Sequence, residues 1–163
     1  MWGIPGIWCS NNLTVAMLTQ CILYRQLTGD RQFEEMEGSL RDWLFGCNPW
    51  GTSMVVGLPE EGVYPRATHS NWVFEQKGHP VGGLVDGPVY ATIFNSLTGV
   101  NISDDMPHVT PNAYEDVQPG DVVYHDNSHD YSTNEPTMDG TASLVFPLST
   151  YEVEGRQTAS SRK

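Results

Sequence analysis

The sequence predicts a mainly all-α chain interrupted by two unusually long loops, and three observations carry that expectation. Apolar residues recur at helical steps near both ends of the chain. Between them, residues 46–85 and 100–133 are rich in Gly, Pro, Asp and His and show no sustained strand alternation. At 163 residues, 39% hydrophobic and 17% charged, the chain holds one domain's worth of core and is too apolar for disorder.

Asn11 and Asn12 are suited to cap a first helix over residues 13–27. Its Leu13, Val15, Met17, Leu18, Ile22 and Leu23 leave little polar surface, the mark of a helix buried on most of its circumference. Thr28, Gly29 and Asp30 make a turn, with Asp30 as the next cap. From Arg31 to Phe45, the residues Phe33, Met36, Leu40, Trp43 and Leu44 form one stripe, and Glu37 with Arg41 makes a surface pair at i,i+4. Gly46 ends this helix, completing an antiparallel hairpin.

In the first long loop only residues 53–57 read as a short strand. A third helix is expected from a cap at Asp86 or Gly87, with Pro88 in its first turn, to Leu97. Asn134 caps a fourth, with Pro136 in the first turn and Pro147 as its kink or end. Residues 150–163 read as a polar, frayed tail beyond a body over 1–149.

Charge narrows the function classes. The formal net charge is -12, with a pI near 4.5. Phosphate backbones and anionic lipid surfaces would be repelled, so neither nucleic acid nor a membrane is an expected partner. No run of about 18 apolar residues is present to span a bilayer. The opening MWGIPGIWCSNN has neither a basic n-region nor a clean apolar core, so no signal peptide is expected in this chain. Cys9, Cys21 and Cys47 make an odd count without C-x-x-C spacing, which argues against a disulfide framework and a structural zinc site. No Lys or Arg lies between Lys77 and Arg156, while twelve acids lie from Asp86 to Glu154. That asymmetry fits either a solvated face or a concave carboxylate cluster for acid chemistry.

The richest segment runs from Tyr124 to Glu135 and packs three carboxylates and two histidines into a loop before a helix. A calcium loop fails, because the sixth and twelfth positions counted from Asp126 are Tyr131 and Thr137 rather than Gly and Glu. His125 and His129 are four apart but in a loop, a poor zinc geometry, and no metal site is expected. Paired carboxylates fit better. Glu135 in a first helical turn would be favoured as an anion by the dipole. Repulsion from Asp126 and Asp130, with burial against Tyr124 and Tyr131, would oppose that and keep a proton on it. A solvated, capped loop explains the same residues equally well.

The spacing of Tyr124, Asp126, Tyr131 and Glu135 resembles a signature of glycoside hydrolase family 9, which holds many cellulases. That signature is an aromatic, any residue, Asp, four residues, an aromatic, three residues and Glu; its later Asn is Thr141 here. Gly57 through Tyr64-Pro65-Arg66-Ala67-Thr68-His69 is similar to a second family signature. The usual Arg after the His is absent, since Ser70 and Asn71 follow, leaving Arg66 or another group to take its role. Leu44–Pro49 and His79–Pro88 also resemble the family, so the four blocks cover about residues 11–146.

The resemblance implies an (α/α)6 barrel, of which residues 1–149 would be the C-terminal part. It implies hydrolysis of β-glucans such as cellulose or cello-oligosaccharides by an inverting acid/base mechanism. Glu135 would protonate the glycosidic oxygen, Asp126 would support the site and His69 would contact the sugar. Arg66, Tyr131, Tyr124 and Trp72 would bind substrate, with Trp50, Tyr64 and Tyr90 as further stacking candidates. No D-x-x-D or D-x-G-D segment precedes the first helix, so the water-activating Asp is expected from an N-terminal part outside this sequence. No cofactor is implied; family members often carry calcium, but no complete ligand set is visible. The parent protein is expected to be secreted or periplasmic, and a cut barrel is expected to expose helix flanks and self-associate. A non-catalytic carbohydrate-binding or helical interaction module is the alternative.

Overall fold

A computed structural model describes residues 3–70, 78–98 and 114–161. Helix α1 spans Ser10–Thr28, α2 Glu34–Leu44, α3 Ala91–Phe94 and α4 Met138–Ser161. Four two-residue strands lie between them: β1 Leu84–Val85, β2 Val89–Tyr90, β3 Val122–Val123 and β4 Pro136–Thr137. β1 pairs antiparallel with β4 and β2 with β3, so the long loops are pinned by two small ladders.

α1 buries a single stripe, Asn11, Thr14, Val15, Leu18, Cys21 and Ile22, at steps of three and four. α2 and α4 both pack on it, and α2 contributes Leu40, Trp43 and Leu44, while α4 contributes Leu144. Met54, Val55, Leu84, Val85 and Tyr124 close this core from the loop side. Each fully buried aliphatic side chain there stabilises the fold by about 1.5–3 kcal/mol. Among the described residues, the opposite flank of α1 carries exposed apolar side chains. Leu13 is 38%, Leu23 39% and Leu27 83% exposed, which departs from the expectation of burial nearly all round. Met17, Leu23, Phe33 and Met36 line an apolar groove of about 520 Å³ beside α2.

The hairpin was legible, but its ends differ. α1 begins at Ser10, because Asn11 is drawn inward: its Nδ2 donates to Val85 O at 2.9 Å and its backbone N–H to Asp86 O at 2.9 Å. Gly87 makes this docking possible. It sits at φ +89, and a Cβ there would fall 2.4 Å from Asn11 Cγ. Glu37 does not pair with Arg41 on the surface. It is buried at 5% exposure and accepts Arg25 Nε at 2.8 Å, while Arg41 binds Asp42 instead. Arg25 also reaches Glu154 at 2.7 Å, joining α1, α2 and α4 in one network. Removing one partner of such a buried pair typically costs about 3–5 kcal/mol.

The third helix is only Ala91–Phe94, because Val89 and Tyr90 are taken up in the β2–β3 ladder. The fourth starts at Met138 rather than Asn134, because Pro136 and Thr137 pair with β1. It does not end at Pro147 or at Thr150. Pro147 is buried and the helix continues to Ser161, held by the Arg25–Glu154 pair and by Tyr151 Oη donating to Glu37 Oε1 at 3.1 Å. Residues 53–57 make isolated bridges, Phe45 with Ser53 and Val55 with Leu84, rather than a strand. Among the described residues no helix is long and apolar enough to cross a membrane.

Candidate active site

The segment 124–135 folds as a loop organised by its own acids. Asp130 is fully buried and accepts from Ser132 N at 2.8 Å, Ser132 Oγ at 2.6 Å, Thr133 N at 3.0 Å, Thr133 Oγ1 at 2.7 Å and His125 Nδ1 at 3.1 Å. Burial works to raise this carboxyl, but the His125, Ser132 and Thr133 donors outweigh it and hold Asp130 below the usual carboxylate range. Its side chain therefore builds the turn that presents Glu135.

Asp126 ties this loop to the segment carrying His69. Its Oδ2 accepts the Arg66 N–H at 2.8 Å, and its Oδ1 accepts Ala67 N–H at 2.9 Å and Asn134 Nδ2 at 3.1 Å. Burial pushes the Asp126 carboxyl up, against these three donors. Asn134 reaches further, donating to Ala67 O at 3.0 Å, while its backbone O accepts the His69 N–H at 3.0 Å. His69 Nδ1 lies 2.7 Å from Ser128 O. A carbonyl only accepts, so Nδ1 carries the proton in that contact and the ring orientation is set. Two loops sixty residues apart in sequence are thus clamped into one unit.

Glu135 follows Asn134 directly, and its side chain is exposed where Ser132, Thr133 and Asn134 are buried. It lies in the loop before β4, not in a helical turn, so the expected helix-dipole effect does not apply. Asp126 and Asp130 are not unpaired acids, since each carboxyl accepts three or more donors. Across the backbone from it stands Asp86. Its N–H donates to Glu135 O at 3.0 Å, and the register Val85↔Pro136 sets the two residues opposite each other.

The remaining candidates divide. Tyr131 is half-buried, its ring 6.2 Å from the stacked Trp8 ring and 6.1 Å from His69, and its hydroxyl donates to Thr98 O at 2.8 Å. Arg66 is exposed, its guanidinium 4.3 Å above the Tyr64 ring. Tyr124 is corrected: it has no exposed surface and its hydroxyl donates to Asn134 Oδ1 at 2.8 Å, so it supports the loop rather than touching a sugar. Trp50 is likewise buried, with Nε1 donating to Gln118 Oε1 at 2.8 Å. Trp72 lies outside the described residues. Among the described residues no group of three or more His, Cys, Asp or Glu side chains is arranged to hold a metal.

Sequence reasoning missed Asp86 and Cys9. Asp86 was read only as a cap, although a lone acid within the apolar run Gly82–Val89 was the available signal. Cys9 adopts φ 55 just before α1, and its Sγ lies 3.2 Å from Asp86 Oδ1, so the thiol donates to the carboxylate.

Comparison with known proteins bears on the family of the chain. The family model for glycosyl hydrolase family 9 matches residues 3–148. The chain is 27% identical over 157 residues to Endoglucanase C of Cellulomonas fimi, covering 91% of this chain and 13% of that protein. It is also similar to the crystal structure of a metagenome-derived glycoside hydrolase family 9 endoglucanase, at 27% identity and a TM-score of 0.60, covering 89% of this chain and 22% of that one. The chain therefore spans less than a quarter of the length of either relative. With the family model matching nearly the whole sequence and the Glu135 loop clamped to the His69 segment, the chain belongs to glycosyl hydrolase family 9.

Proposed function

We propose that this chain is the C-terminal part of an (α/α)6 catalytic domain that hydrolyses β-glucans such as cellulose or cello-oligosaccharides. Glu135 acts as the general acid, placing a proton on the departing glycosidic oxygen. The observation that carries this reading is the position of Glu135: an exposed carboxyl directly after Ser132, Thr133 and Asn134, whose polar side chains are buried and hydrogen-bonded. Such a setting fixes the backbone while leaving the acid able to meet a ligand.

Asp126 is a positioning residue in this account, because its carboxylate binds backbone amides of the His69 segment. His69, Arg66 and Tyr131 then contact the sugar beside the scissile bond, with Trp8 extending the aromatic surface of Tyr131. Inversion needs a second carboxylate about 6.5–9.5 Å away, activating water on the opposite ring face. We assign that base to an Asp supplied by the N-terminal remainder of the domain. The names of both relatives, each an endoglucanase, support glucan as the substrate; a polymer of that size is met outside the cell, which suits a secreted or periplasmic parent protein. The same remainder covers the exposed flank of α1, and in its absence that apolar groove favours self-association.

The test compares Glu135 with Glu135→Gln in a protein carrying this segment within a complete family 9 domain. Hydrolysis of an unactivated cello-oligosaccharide falls by at least about 100-fold in the variant while cellobiose binding persists. Unchanged turnover removes the acid assignment. Binding with no hydrolysis in either protein points to the non-catalytic module instead.

A further inference from the structure

Asn134 is fully buried and stands one residue before the exposed Glu135. Its side-chain amide meets three groups. Nδ2 donates to Ala67 O at 3.0 Å and to Asp126 Oδ1 at 3.1 Å, and Oδ1 accepts the Tyr124 hydroxyl at 2.8 Å. Only one orientation of the amide satisfies all three. A backbone carbonyl accepts and does not donate, and Asp126 Oδ1 is already an acceptor for the Ala67 N–H, so the NH2 points to Ala67 O and Asp126. The amide oxygen then faces Tyr124, which has no exposed surface and acts as the donor.

The main chain of Asn134 is held too. Its N–H donates to Asp130 O at 3.3 Å, and its O accepts the His69 N–H at 3.0 Å. That carbonyl belongs to the peptide leading into Glu135. A peptide is planar, so the bond to His69 fixes the plane from which Glu135 departs. The next peptide is held as well, because Glu135 O accepts the Asp86 N–H at 3.0 Å. The backbone of the acid is therefore pinned on both sides of its Cα while its side chain stays exposed.

We propose that Asn134 is a positioning residue for two groups at once: with its amide locked by Tyr124, Ala67 and Asp126, its peptide holds the Glu135 and His69 backbones at one fixed separation. The proposal rests on the reading of Glu135 as the acid. The family spacing asks only for an aromatic at 124 and leaves 134 open, so neither the Tyr124 hydroxyl nor the Asn134 amide is part of that signature. A proton donor acts only within hydrogen-bond reach of the leaving oxygen, and a misplacement of about 1 Å costs roughly 100-fold in rate.

The test has two arms. In the first, the scalar coupling across the hydrogen bond from the His69 amide nitrogen to the Asn134 carbonyl carbon is measured by NMR in this chain. The coupling is present in the parent and is lost in Asn134→Ala. A coupling of parental size in the variant overturns the proposal, whatever Glu135 does. In the second arm, variants are made in a protein carrying this segment within a complete family 9 domain, and kcat/KM is compared on an unactivated cello-oligosaccharide and on a glucoside with a good phenol leaving group. Asn134→Ala loses about 10- to 100-fold on the first substrate and less than about threefold on the second, because only the first depends on a well-placed acid. A smaller folded fraction would lower both rates alike, as it does in the control Leu40→Ala, which hollows the core at α2. Where Asn134→Ala does not fold, Tyr124→Phe removes one buried oxygen, keeps the ring and loses about three- to tenfold on the first substrate alone. Equal losses on both substrates overturn the inference even when Glu135→Gln is selective for the poor leaving group. Equal losses in Glu135→Gln itself defeat the acid reading, so the two failures are distinct.

Discussion

Asp126→Asn is the substitution that probes the clamp between the two loops most directly. The carboxylate accepts three donors, Arg66 N–H, Ala67 N–H and Asn134 Nδ2. Asparagine keeps one acceptor oxygen. Set at the Oδ1 position, it retains Ala67 and Asn134 and turns its own NH2 toward the Arg66 amide. That contact becomes donor against donor, at about 1–3 kcal/mol for an orphaned amide, and the other two bonds lose their charge assistance for roughly another 1 kcal/mol. The expected loss is about 2–4 kcal/mol, or roughly 5–15 °C in Tm for a chain of this size. Urea melts at neutral pH measure the loss. Hydrogen exchange at Arg66 and Ala67 shows whether it is local, since both amides should lose protection ahead of the core. A melt within about 0.5 kcal/mol of the parent, with both amides still protected, would refute the reasoning.

Two further outcomes test the surrounding structure. Gly87→Ala brings a Cβ to 2.4 Å from Asn11 Cγ at φ +89, so it destabilises by about 2–5 kcal/mol in a thermal melt; a variant as stable as the parent contradicts the α1 docking described above. The Asp86 carboxyl, raised from 3.8 to about 7, binds its proton more tightly folded than unfolded. Its contribution is therefore most favourable below about pH 4, declines as pH rises through 4 to 7, and is flat above. The stability difference between parent and Asp86→Asn should shift against the parent over that range by up to roughly 4 kcal/mol, and a difference that is constant from pH 4 to 8 rules it out.

The helical hairpin was legible because periodicity is local: Leu40, Trp43 and Leu44 report their own burial through spacing alone. The family spacing groups Asp126, Glu135 and His69 as candidates, and the structure joins the Asp126 and Asn134 loop to the segment that carries His69. Long-range pairing was not legible. Glu37 has Arg41 four residues on, yet its partner is Arg25 from another helix. Pro136 looks like a first-turn proline, but β1 claims it for a ladder and moves the start of α4 to Met138. Thr141, where the family signature has Asn, accepts the Leu84 N–H at 3.0 Å and donates to Thr137 O at 2.6 Å, fastening that ladder to the helix. The family resemblance made Tyr124 a substrate-binding candidate, which its burial overturns. Its hydroxyl instead completes the Asn134 contacts inside the core.

The central claim is that the exposed carboxyl of Glu135 delivers the proton that releases the leaving sugar. Two glycosides of the same glucan, one with a good phenol leaving group and one with a poor one, measure this directly when hydrolysed by parent and Glu135→Gln proteins bearing the complete domain. A general acid matters most for the poor leaving group, so the variant should lose far more rate on that substrate than on the good one. Equal losses on both, or none, would contradict the account.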